Sequence, residues 1–73
     1  MHGQQYRSLR DEIDTDEDGG ERTTPAGSVW TLDSVNYTDP RDGDVWNAIC
    51  GATGAWVVVT LGELARDFTP VEP

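Results

Sequence analysis

The chain has no lysine, one cysteine, one histidine and no long apolar run among its 73 residues. Each shortage closes off a class of function. Five arginines are the whole basic complement against fourteen carboxylates, a formal net charge of -9 at pH 7. Nucleic acids and anionic membranes are held by Lys/Arg groups that displace counterions, so neither is expected as a direct partner. With Cys50 alone, an intramolecular disulfide and a multi-cysteine zinc site are both excluded. Cys50 reads as a small buried apolar residue, with a cross-link between two copies as the alternative. A catalytic thiol would want a nearby base, and the one histidine, His2, sits in the terminus. No stretch approaches the ~20 apolar residues that cross a bilayer. Met1–Arg10 lacks the apolar core of a secretory signal, so the expected compartment is the cytoplasm.

The residues that are present divide near Pro25–Gly27. Residues 1–27 form an acidic N-terminal arm. Tyr6, Leu9 and Ile13 fall on one helical face, which predicts a short helix over 4–13. Isolated helices of that length are marginal in water, so the stripe would have to dock on something. From Asp14 to Thr24 there is no apolar residue, and 14–27 reads as a flexible acidic linker. Residues 28–73 read as a compact β-rich domain. Ser28–Val35, Val45–Cys50 and Ala55–Leu61 are three strand candidates, the last apolar on both faces and therefore expected to be central or doubly covered. Asp39–Asp44 carries turn chemistry, with Pro40 presetting φ and Gly43 supplying a positive one. Glu63–Phe68 reads as one helical turn, and Pro70 and Pro73 end regular structure. The expected fold is α+β and mostly β. It is a three-stranded antiparallel meander or small partly open barrel, with a short N-terminal helix and a C-terminal helical turn. A core this small seldom supplies more than about 3–5 kcal/mol. The chain is expected as a monomer or homodimer.

Each strand candidate carries one tryptophan: Trp30, Trp46 and Trp56. Core packing is the first expectation for all three. Strand alternation places Trp30, Leu32, Trp46, Ala48 and Cys50 inward and leaves Val45 and Ile49 outward. An aromatic and aliphatic sheet face (Trp30, Trp46, Val45, Ile49) is the alternative binding surface, suited to a small phage-type adaptor or structural module.

No catalytic constellation emerges. Asp14-Thr15-Asp16-Glu17-Asp18-Gly19 matches the opening of a calcium loop. The match then fails, because Pro25 stands where a bidentate Glu belongs and Glu21 where an apolar residue belongs. Ser28, Ser34 and the threonines have no histidine base beside them. Gly51-Ala52-Thr53-Gly54 has no lysine for a phosphate loop. Carboxylate pairs are too numerous to single out, and so small a body has little room for a desolvated acid. The chain is expected to be a binding protein without cofactor or metal rather than an enzyme.

The acids are spread through both parts. Seven carboxylates face three arginines in the first 27 residues, net -4, and seven face two in the rest, net -5. Negative charge fixed along one edge can imitate a phosphate backbone. The expected partner is a basic protein surface, above all that of a nucleic-acid-binding complex. The nominated contacts are Asp33, Asp39, Asp42, Asp44, Glu63 and Asp67, with Asp14, Asp16, Glu17 and Asp18 of the arm adding attraction.

In size, charge and layout the chain resembles small phage-encoded inhibitors of host defence, the DNA-mimicking anti-CRISPR proteins in particular. The residues behind the resemblance are the acidic loop Asp39–Asp44, the linker Asp14–Glu21 and the segments SVWTLDSV, VWNAIC and AWVVVTL. It spans the whole chain and includes no diagnostic motif. It implies an inhibitor that occupies the DNA- or PAM-binding groove of a CRISPR effector complex in the host cytoplasm.

Overall fold

The computed structural model describes residues 1–71; Glu72 and Pro73 lie outside the described residues. The elements in chain order are β1 (Gln5–Ser8), β2 (Glu12–Thr15), β3 (Glu21–Thr24), β4 (Val29–Asp39), β5 (Gly43–Ile49), β6 (Trp56–Val59), α1 (Leu61–Asp67) and β7 (Phe68–Pro70). Five strands make one antiparallel sheet in the order β6-β5-β4-β1-β7, and β2 and β3 pair as a separate hairpin.

This architecture corrects the sequence expectation. The fold is mostly β, a five-stranded sheet with a two-stranded one, and the described strands do not close into a barrel. There is no N-terminal helix over 4–13. Residues 5–8 form β1, which alternates outward and inward and buries Tyr6 and Ser8. β1 fills the position between β4 and β7, with Tyr6 opposite Trp30 on one side and Pro70 on the other. Leu9 and Ile13, the rest of the supposed helical stripe, are exposed. The helix would have gained one docked stripe, whereas the strand gains backbone pairing on both edges and places Tyr6 in the core. Asp14 to Gly27, expected as linker, contains β3 and the hairpin turn. Asp16 accepts the Asp18 and Gly20 amides there, and Gly19 has φ +84°.

β4, β5 and β6 are the anticipated meander with shifted ends. Asp39 accepts the Arg41 and Asp42 amides in the turn between β4 and β5, and Gly43 adopts φ +73°. The core joins Tyr6, Trp30, Leu32, Trp46, Ala48, Cys50, Ala55, Val59, Leu64 and Phe68. Trp30 is 1% exposed and meets Phe68 edge-to-face, with ring centroids 6.4 Å apart. Cys50 is a buried free thiol. Two facial assignments need correction. Val45, placed outward, is buried, and Ile49 is partly covered. β6, expected to be central or doubly covered, is an edge strand, and its Trp56 is 49% exposed.

The helical segment begins at Leu61. Thr60 accepts the Glu63 amide, and Glu63 accepts the Thr60 amide, both at 3.1 Å. This reciprocal capping box satisfies two amides at the helix start. Leu64 then packs into the core, and the chain turns directly into β7. No described helix is long and apolar enough to cross a membrane.

Candidate functional site

The nominated carboxylates separate into those that hold the fold and those left to face outward. Asp67 is buried. Arg66 grips it with two hydrogen bonds, 3.0 and 2.9 Å, and Arg10 approaches to 3.9 Å. The Arg66 guanidinium holds the Asp67 carboxyl below its ordinary value. Glu63 is committed to the helix cap. Asp14 receives two bonds from Arg22, at 3.1 Å from Nε and 2.6 Å from Nη2, and a third from the Trp56 amide at 3.0 Å. Its carboxyl is lowered, first by the Arg22 hydrogen bonds. These three acids are poorly placed to meet a partner.

The others remain on the surface in two groups. In the turn between β4 and β5, Asp42 and Asp44 are exposed and Asp39 is partly covered, its carboxyl lowered by the two turn amides. Asp44 accepts from Thr38 at 2.9 Å, and exposed Asp33 accepts from Ser34 at 3.0 Å. Exposed Arg41 sits inside this turn and interrupts its negative charge. The tip of the hairpin between β2 and β3 has no such interruption. Glu17, Asp18 and Glu21 are exposed beside half-covered Asp16, and Arg22 at its foot is already spent on Asp14. The longest uninterrupted run of free carboxylate is therefore in the arm, not in the body loop that sequence reasoning favoured.

Arg22 and Asp14 also fix where the hairpin points. Arg22 Nη1 donates to the Thr53 carbonyl at 3.1 Å, and Nη2 reaches the Gly54 carbonyl at 3.4 Å. Buried Thr24 lies 3.5 Å from the Thr53 hydroxyl. The planar guanidinium thus braces the hairpin against the turn between β5 and β6, a geometry that a lysine could not reproduce.

Beside this brace lies an open groove of about 380 Å³, lined by Glu12, Ile13, Asp14, Thr15, Trp56, Val57 and Val58. Ile13, Trp56 and Val58 are exposed apolar residues on its walls. Burial holds the Glu12 carboxyl above its ordinary value despite the opposing pull of Arg10. This is an exposed aromatic and aliphatic surface; Val35 and Tyr37 on β4 are exposed as well. The face nominated from sequence is not exposed, because Trp30, Trp46 and Val45 are buried. Sequence reasoning missed Val58 and Arg22 and placed Ile13 on a helical stripe instead of a strand. Only the pairing of β2 with β3, and the docking of that hairpin near β6, brings them together.

Comparison with protein-family models, with curated proteins and with solved structures finds no match.

Proposed function

We propose that this chain is an acidic binding protein that occupies a basic groove of a nucleic-acid-binding partner, and inhibits it by standing in for polyanion. One observation carries the reading: the hairpin tip presents Asp16, Glu17, Asp18 and Glu21 while Arg22, Arg10 and Arg66 are spent on Asp14, Glu12 and Asp67. Three of the five arginines are paired with carboxylates within the fold, and Arg7 donates to the Gly27 carbonyl. Exposed Arg41 is far from the hairpin tip in sequence, and the tip keeps its negative charge. A braced acidic projection is better suited to a groove than a mobile tail, because less ordering entropy is lost on docking. A CRISPR effector complex is the partner class that the resemblance in size, charge and layout suggests.

The test is capture of a partner on the immobilised chain, with elution in salt steps. Affinity should fall about tenfold or more between ~50 and ~500 mM salt, because exposed charges are screened within a Debye length. Replacing Glu17, Asp18 and Glu21 by their amides should weaken binding and flatten that salt dependence. A second reading, an adaptor that binds through apolar contact, is favoured by the exposure of Trp56 beside Ile13 and Val58. Retention through high salt together with loss on Trp56→Ala would select it.

A further inference from the structure

The groove between β2 and β6 has the backbone chemistry of an unfinished sheet. In an antiparallel ladder, successive residues direct their amide and carbonyl alternately toward and away from the partner strand. Cys50 donates to the Ala55 carbonyl, so residue 55 faces β5. Trp56 therefore faces away, and its amide is taken by the Asp14 carboxylate at 3.0 Å. Val58, two residues on, has the same outward direction. Among the described residues nothing from β2 bonds its amide or carbonyl, and β5 is the only strand paired with β6.

Open edges invite strand pairing, and proteins blunt them with bulges, charges or short length. β4 beyond β1 is blunted by register shifts at Leu32/Ser34 and Val35/Tyr37. β6 has no register shift. Its edge is guarded by its short length and by the neighbouring β2, which sets Glu12 and Asp14 in the groove wall, and no cationic side chain lines the groove. Those two acids are paired with Arg10 and Arg22, so it is the chain's net charge of -9 that repels a second copy of the same chain. The same net charge, with exposed Glu17, Asp18 and Glu21 at the tip of the hairpin, attracts an extended strand rich in Lys and Arg. Ile13, Trp56 and Val58 supply apolar contact for its alternate residues.

We infer that the open edge of β6 is a β-augmentation site, at which an extended basic segment of the partner pairs with Val58 in the groove between β2 and β6. The inference rests on the reading of a basic partner and adds the element of that partner which is gripped.

The test uses the full chain, isotope-labelled, and a capped heptapeptide alternating lysine with valine. Titration should shift the amides of Trp56–Val59 and Glu12–Thr15 and slow hydrogen exchange at Val58. Val58→Pro removes the outward amide and leaves the β5 ladder intact, since proline is tolerated where an edge amide faces outward. It should weaken the peptide about tenfold, the loss of about one hydrogen bond. Two peptides, N-methylated at the lysines or at the valines, block one strand edge each. One of the two should lose a similar factor, which keeps the test decisive if the proline variant does not fold. Equal binding by both N-methylated peptides, with shifts confined to Glu17–Glu21, would overturn the inference and leave the basic-partner reading standing. A dimer protected at Val58 without peptide would overturn it in favour of a second copy. Binding by none of the peptides, with no salt-sensitive partner captured, would remove both.

Discussion

Replacing Phe68 by alanine should remove nearly all the stability of this protein. Phe68 is the first residue of a three-residue strand at the sheet edge, yet it is 4% exposed and edge-to-face with Trp30, the largest fully buried side chain. Its backbone pairs with Ser8, and the Leu9 amide reaches the Asp67 carbonyl at 2.8 Å, so ring and strand are fixed together. A buried Phe→Ala change costs about 3–5 kcal/mol. That equals the whole margin of about 3–5 kcal/mol expected of a domain this small. Phe68→Leu keeps most of the volume and forfeits the ring pair, a loss of about 1–1.5 kcal/mol. At about 4–8 °C per kcal/mol for this chain length, the leucine variant should melt roughly 5–10 °C lower. Thr69→Ala, on the exposed neighbour, should stay within about 0.5 kcal/mol of the parent. Thermal and urea unfolding followed by far-UV circular dichroism and tryptophan fluorescence would measure all three. A Phe68→Ala protein that unfolds cooperatively within a few degrees of the parent would refute the claim that β7 closes the core.

Other expectations follow from the same geometry. Acrylamide should quench one of three tryptophans, and Trp56→Phe should remove the quenchable component; equal quenching of all three would contradict the burial of Trp30 and Trp46. Thr60→Ala should cost about 1 kcal/mol by removing a capping acceptor, with Thr60→Ser restoring it, as melting points would show. Asp14→Asn sets an amide group against the Arg22 and Trp56 donors, so hydrogen exchange at the Trp56 amide should accelerate; an unchanged rate would detach the hairpin from β6. The pH dependence has two signs. Glu12 is raised above 4.5, mainly by burial, so the folded state holds that proton more readily; the contribution is present at low pH and lost as pH rises through the raised value. Glu12→Gln should therefore melt higher than the parent at pH 7 and lose that advantage below about pH 4, whereas a lower melting point at pH 7 would mean that the Arg10 contact outweighs burial. Asp14, Asp39 and Asp67 are lowered below 3.8, so their stabilisation is present above that value and lost as pH falls through their folded values.

Much of the body was legible in the chain because its signals are local. Alternation in SVWTLDSV and VWNAIC, and the Asp39–Gly43 turn chemistry, act over a few residues and survive into β4, β5 and their connection. The capping box was equally local, since Thr60 and Glu63 stand at the required spacing, and attention to it would have started the helix at Leu61. The arm was not legible. Four residues of alternation in Gln5–Ser8 cannot be separated from a helical stripe by periodicity, and the strand exists because residues near 30 and near 70 flank it.

Charge and the lone thiol belong to composition and order, and the sequence determined them alone. Which carboxylates stay free was decided by tertiary structure. Arg22 meets Asp14 across a hairpin, and Arg10 reaches Asp67 from the other end of the chain. The same is true of Trp56, whose exposure follows from β6 having one neighbour rather than two. The physical reason is common to both. Ion pairing and edge position depend on separations in space, and residues distant along the chain acquire those separations only when the sheet assembles.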